Sequence, residues 1–310
     1  MIFSRSRIIG LVLTIATLGA SVVLLQNLGA EEELNSLLTL LQPGIVLILF
    51  LLYGLHFIAE PVRWKTYTAL PAFAPDHGLA LFRRIFACFN ITALLSYSLP
   101  MKLGIPIRVF LLCSIMHLNK TRIMKLMAID VMLNLFCWGS LTTLLFILLP
   151  EVRNYIVGLV NLYVVLVVML LLIVIAAWII WLRSAYVRSL LEALPLSLVI
   201  PVVITLFADV LFYGVRHATL ANFLAIDISL SAVFIIGIIA TFAGIVSALP
   251  MGLGAYDASL VAMLGLYGVG LEQGLVLALC NRLCMVLTSV ILGLPSVLLM
   301  LDNRSGPVNL

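Results

Sequence analysis

Leu99 to Arg108 reads LPMKLGIPIR, and 150 positions further on Leu249 to Asp257 reads LPMGLGAYD. The first six letters differ only at Lys102 against Gly252. Proline removes a backbone donor and glycine admits backbone that other residues avoid, so each stretch is a break in regular structure. Both breaks stand inside strongly apolar sequence, where ordinary surface loops are not expected.

The surrounding composition names the solvent. Of 310 residues, 64% are hydrophobic and 10% charged, with a mean hydropathy of +1.28, whereas soluble domains carry roughly 25% charged residues. So few charges cannot cover a water-exposed surface, and apolar runs of about 20 residues recur, which predicts a polytopic membrane protein. Six runs are long enough to cross: Ile8 to Leu28, Gly44 to Ala59, Lys125 to Leu149, Tyr155 to Leu182, Leu196 to Val215, and Leu275 to Leu299. The first is longer than the roughly 7–15 apolar residues of a signal peptide, so a retained helix is expected.

The regions around the two breaks behave differently. Ile85 to Leu99 and Ile107 to Leu118 flank the first, while Ser231 to Leu249 and Ala258 to Leu266 flank the second. At about 1.5 Å per residue, Ile85 to Leu99 and Ile107 to Leu118 are each short for a core of about 30 Å, and the second region, split by the same turn, has the same form. Each pair therefore reads as a re-entrant helical hairpin, around 85–118 and around 231–266. The predicted fold class is all-α: six transmembrane helices plus two re-entrant hairpins.

Cytoplasmic loops accumulate Lys and Arg, so charge gives an independent topology. With the N-terminus inside, twelve Lys and Arg residues fall on the cytoplasmic side, among them Arg63, Lys65, Arg83, Arg84 and Lys120, and only Arg153 and Arg216 fall outside. Both termini are then cytoplasmic, in a bacterial or archaeal inner membrane. Each half, 1–150 and 151–310, runs helix, helix, hairpin, helix. Three crossings per half turn the second copy upside down, so the hairpins enter from opposite sides, as in transporters built from inverted repeats. Broken backbone at membrane depth is tolerated where protein buries it or it lines a wet cavity.

Ionisable residues within spans are functional candidates by default. They are Glu60, Lys102, Arg108, Asp130, Asp209, Asp257 and Arg282. Cations near broken helices suit an anionic group, phosphate above all, which arginine binds as a planar fork. Structural alternatives stand beside each. Asp130 and Arg282 lie 30 and 32 positions after their prolines, so they are expected to pair across the repeat. Lys102 can snorkel to the interface, Asp257 can cap the half-helix after Gly254, and Arg108 serves a ligand or a salt bridge equally well. Arg63, Trp64 and Lys65 read as an interfacial anchor.

Catalytic patterns do not occur. Cys88, Cys113, Cys137, Cys280 and Cys284 lie in apolar stretches without zinc-ligand spacing, and His56, His77, His117 and His217 are dispersed. Neither a nucleotide-binding nor a nucleophile-elbow motif is present. No cofactor, no metal, no nucleic-acid contact and no enzymatic activity are expected.

These motifs resemble a known family. FNITALLSYSLPMKLGIPIR, LPMGLGAYDASLVAMLGLYGVG and NRL with Arg282 are similar to the flippase-like membrane region of lysylphosphatidylglycerol synthases and its stand-alone relatives. The resemblance implies that Pro100, Gly104 and Arg108 form a first functional turn. It implies that Pro250, Gly252 and Gly254 form the second, with Asp257 in place of a glutamate and Arg282 as the helix arginine. Pro106 departs from an acidic residue common there, and an E-R-x-x-D pattern frequent on the third helix appears only as DVMLN, Asp130 to Asn134, without its arginine. Bifunctional members carry a soluble aminoacyl-transfer domain after the membrane part, and none is expected here. The implied role is movement of an anionic phospholipid or polyprenyl-phosphate-linked lipid between leaflets, without synthase activity. The competing role is a non-transporting accessory or scaffold for a lipid-modifying or glycosyl-transfer enzyme, and membrane lipids are the expected partners in both.

Overall fold

The computed structural model describes residues 42–68, 78–98, 104–116, 120–148, 196–247 and 254–302. Among them, eight α-helices and no strands occur: α1 Pro43–Tyr67, α2 Leu79–Ser98, α3 Gly104–Met116, α4 Lys120–Leu148, α5 Leu196–Phe223, α6 Leu230–Val246, α7 Ala255–Gly265 and α8 Leu271–Asp302. Five are long and apolar enough to cross a membrane, namely α1, α2, α4, α5 and α8. The expected crossings at Ile8 to Leu28 and Tyr155 to Leu182 lie outside the described residues, as do Pro100, Lys102, Pro250 and Gly252.

Local chemistry explains the ends. Pro43 opens α1, where a missing N–H costs nothing because the first turn has no intrahelical acceptor for it. At its other end, the Thr68 amide and hydroxyl both donate to the Lys65 carbonyl at 3.1 and 2.6 Å, an oxygen of the last turn with no i+4 helical donor, and the Thr66 hydroxyl donates to the Val62 carbonyl at 3.1 Å. Ser229 caps α6, its hydroxyl accepting from the Ala232 amide at 3.3 Å. α7 starts at Gly254 with φ of 81°, a conformation glycine reaches without the penalty that a Cβ brings.

The outward faces carry apolar side chains where a soluble protein would carry charges. Leu47, Leu51, Leu55 and Ile58 mark one side of α1, and Leu287, Ile291, Leu294 and Leu298 one side of α8, all exposed. Spacings of three and four keep each set on one helix face. Such stripes are compatible with lipid, not water.

The buried residues form two main clusters, and α1 and α5 run through both. Trp64 and Tyr67 near the end of α1 join Val202 and Leu206 near the start of α5 in a cluster with α2, α3 and α4. Leu49, Tyr53 and Phe57 from earlier in α1 join Leu220 and Ala221 near the end of α5 in a cluster with α6, α7 and α8. The two helices therefore lie antiparallel, each tying one group of helices to the other. Elsewhere Gly293 of α8 brings Leu94 of α2 against its backbone, and Gly139 of α4 faces Phe242 of α6.

Two expectations about length and depth are corrected. α2 begins at Leu79, six residues before the expected Ile85, so its apolar stretch is long enough to cross. Arg216, assigned to an outer loop, lies inside α5 and is buried, because the helix continues to Phe223. The short elements are as expected: α3 has 13 residues and α7 has 11, roughly 20 and 16 Å of helix.

Candidate functional site

Arg108 sits one turn into α3. Its Nη1 donates to Glu60 Oε1 of α1 at 2.5 Å and its Nε to Thr92 Oγ1 of α2 at 3.1 Å, while its guanidinium carbon stands 4.3 Å from the Phe89 ring centre. Thr92 can accept because its own proton goes to the Phe89 carbonyl at 3.0 Å. Placement of the arginine depends on Gly104. A Cβ there would fall on the Ser96 hydroxyl and the Thr92 carbonyl, so only glycine lets α3 start this close to α2. As residue number rises from Gly104 to Arg108, the neighbours fall from Ser96 to Phe89, and the chain therefore doubles back on itself across the first break.

A cavity of about 130 Å³ opens here, lined by His56, Phe57, Glu60, Phe89, Ala93, Ser96 and Arg108. A larger cleft of about 520 Å³ between α5 and α6 is bordered by residues such as Val215, Phe234 and Ile235 and by no ionisable side chain. The small cavity holds the charged chemistry. Glu60 also lies 3.9 Å from Arg63 Nη2, so it stands between two guanidinium groups.

The second break is built with the opposite charge on its half-helix. Asp257 accepts from Arg282 Nε and Nη2 of α8 at 2.8 and 2.6 Å, the two-pronged geometry that makes Arg–carboxylate pairs strong. The same carboxylate accepts from the Gly254 amide at 3.2 Å, so it caps α7 and binds a cation at once. Gly254, unlike Gly104, has open space where a Cβ would go. The repeated glycines thus serve different ends, close approach at one break and backbone angle at the other.

Asp130 does not pair with Arg282. Arg63 holds it instead, through Nε at 2.6 Å and Nη2 at 3.1 Å, helped by the Tyr67 hydroxyl at 3.0 Å and a longer contact of 3.4 Å from Trp64 Nε1. Arg63 is 1% exposed and Asp130 5%. Equal distance from the prolines measured position along α4 and α8, but which helix faces α4 is decided by packing, and the end of α1 is there. Arg63 and Trp64 are correspondingly not an interfacial anchor: both point inward.

Sequence reading also missed a polar core beside the site. Tyr53 OH donates to Asn281 Oδ1 at 2.7 Å, Asn281 Nδ2 donates to Tyr256 OH at 2.8 Å, and Tyr256 OH lies 2.7 Å from His217 Nε2. His217 Nδ1 must carry the proton, since it lies 2.6 Å from the Tyr213 carbonyl, which can only accept. Tyr256 therefore donates to Nε2. Arg216 stacks on Tyr53 and Tyr213, 4.6 and 4.1 Å from their ring centres. The helical spacing of Tyr53 and Phe57 on α1, and of Tyr213 and His217 on α5, was the available signal. His56, dispersed in sequence from the other ionisable groups, meets Asp209 with Nδ1 at 2.6 Å from Oδ1. No group of three or more His, Cys, Asp or Glu side chains suited to a metal occurs among the described residues.

A family model described as Lysylphosphatidylglycerol synthase TM region matches residues 7–293. The chain belongs to that family. A search of the curated proteins returned no match. Membership in the lysylphosphatidylglycerol synthase membrane-region family, together with the apolar helices, makes this a multi-pass membrane protein related to lipid handling.

Proposed function

We propose that the protein moves an anionic, phosphate-bearing lipid, a phospholipid or a polyprenyl-phosphate-linked species, between the leaflets of a bacterial or archaeal inner membrane. Arg108 is the residue that carries this reading. It stands at a helix break, lines a cavity and already holds an anion, the Glu60 carboxylate, that a headgroup phosphate can replace. Replacement is favourable only if Glu60 keeps a cation, and Arg63 Nη2 at 3.9 Å offers one. The Lys/Arg bias of the loops supports cytoplasmic termini, and the antiparallel run of α1 and α5 supports the inverted-repeat plan. So do the matching contacts of α2 with α8 and of α4 with α6, because the plan relates these two pairs to each other. Such a plan lets the site open to each side in turn. The reading needs no chemical step, so no catalytic residue is assigned.

The test is movement of fluorescent phosphatidylglycerol in proteoliposomes, against phosphatidylcholine as the zwitterionic control. Arg108→Ala should slow the anionic lipid roughly tenfold or more, the loss expected for hydrogen bonds to a charged group. Arg108→Lys should slow it by less, since it keeps charge but loses the planar fork. Equal rates for wild type and both folded variants would remove Arg108 from the path and put the accessory role first.

A further inference from the structure

We propose that His56 and Asp209 form a proton-binding site coupled to the anion at Arg108, so that an anionic headgroup and a proton are taken up together. The inference rests on the reading of Arg108 above and adds to it the identity of a co-transported ion. His56 is residue 14 of the 25 in α1, and Asp209 is residue 14 of the 28 in α5, which puts both near the middle of their spans. Their side chains are 17% and 9% exposed. His56 lines the same cavity as Glu60 and Arg108, and its second ring nitrogen, Nε2, lies 3.2 Å from the Tyr213 hydroxyl.

The charged groups around this dyad come from several elements, while α6, which packs on α5, carries no ionisable residue. α1 brings Glu60 and Arg63, α3 brings Arg108, and α4 brings Asp130. α5 brings Asp209, Tyr213 and Arg216, the last stacked on the Tyr213 ring. α2 lines the cavity with uncharged Phe89, Ala93 and Ser96, with the Cys88 thiol buried behind them. α8 brings Asn281 to Tyr53, and Arg282 bound to Asp257 on α7. In this core the guanidinium groups of Arg63, Arg108, Arg216 and Arg282 are matched by the carboxylates of Glu60, Asp130, Asp209 and Asp257. Glu60, Asp130 and Asp257 are each bound by a guanidinium, while Asp209 is bound by an imidazole.

With His56 neutral, the set therefore balances as it stands. A headgroup phosphate arriving at Arg108 adds a negative charge for which no further guanidinium is provided, and an uncompensated charge inside a membrane protein is costly. One proton on His56 restores the balance. The resulting imidazolium still donates from Nδ1 to Asp209, while the Tyr213 hydroxyl turns to accept from Nε2. Linkage makes the coupling reciprocal: the anion promotes protonation, and acid promotes anion binding by the same factor.

The experiment is a titration of the full chain, in weakly buffered detergent containing a pH indicator, with phosphatidylglycerol and separately with phosphatidylcholine. Wild type should take up close to one proton per phosphatidylglycerol bound, making the medium more alkaline, and none with phosphatidylcholine. Its affinity for phosphatidylglycerol should rise at least about fivefold between pH 7.5 and 5.5, the lower end of typical coupling. His56→Asn and, independently, Asp209→Asn should abolish the uptake and flatten the pH dependence. Phosphatidylglycerol binding by wild type without proton uptake would overturn the proton site and leave the Arg108 reading standing. Absence of phosphatidylglycerol binding by folded wild type at both pH values would overturn both.

Discussion

Arg63 and Asp130 lie almost wholly out of contact with solvent, and Arg63 Nη1 has no hydrogen-bond partner in the described structure. Removing the carboxylate would leave a buried guanidinium uncompensated, so Asp130→Asn should lower unfolding stability in detergent by about 3–5 kcal/mol, as should Arg63→Met. Replacing both together, Arg63→Met with Asp130→Leu, should recover most of that loss, because a buried ion pair gains little over apolar residues of similar size. Exchanging charges between Asp130 and Arg282 should recover nothing, since each has a different partner. Asp257 and Arg282 form their own pair, 25% and 10% exposed at the side chain. A double-mutant cycle of Asp257→Asn and Arg282→Gln should give a coupling energy of about 0.5–3 kcal/mol, the range for residues in direct contact. A coupling near zero would mean that the pair is not formed in the membrane-embedded protein.

At the level of elements, the two broken segments should respond differently to the same substitution. Gly104→Ala places a methyl group on the Ser96 hydroxyl and the Thr92 carbonyl, so α3 must move off α2 and carry Arg108 away from Glu60 and Thr92. Movement of phosphatidylglycerol and thermal stability should both fall. Adding Ser96→Ala should restore them only in part, because the Thr92 carbonyl remains. Gly254→Ala meets no neighbour but must hold a positive φ of 81° with ψ of −52°, at a cost of about 1–3 kcal/mol. Its loss should appear in stability, with no rescue from any side-chain change nearby. A larger effect at Gly254 than at Gly104 on lipid movement would contradict the placement of the anion site at the first break.

Over the whole molecule, the inverted plan makes a topological prediction. Single cysteines at Thr121, at the start of α4, and at Gly270, just before α8, should label with a membrane-impermeant thiol reagent from opposite sides: Thr121→Cys from the cytoplasm and Gly270→Cys from outside. The five native thiols are buried or half-buried, which keeps the background low. Labelling of both positions from one side would exclude the plan. The charge asymmetry behind it survives the structural corrections. Arg63 leaves the cytoplasmic set because it is buried with Asp130, and Arg216 leaves the outer set because it is buried against Tyr53 and Tyr213, so the bias is undiminished.

By itself the sequence determined the solvent, the helical class and the two breaks. Hydrophobic run length and the scarcity of charge are properties of composition, and proline with glycine interrupts a helix whatever surrounds it. It also flagged Glu60, Arg108, Asp130, Asp209, Asp257 and Arg282, because a charge in an apolar run is conspicuous without any knowledge of contacts, but it read Arg63 as an anchor, put Arg216 in an outer loop and passed over His56. Tertiary structure alone decided their partners. Asp130 could be matched to Arg282 by position along the chain, yet rotation of each helix and the choice of neighbour placed Arg63 beside it. His56 and Asp209, 153 residues apart, carry no local pattern that links them. Their meeting follows from the antiparallel packing of α1 on α5, and the free energy of that packing is spread over two buried clusters rather than written at either residue.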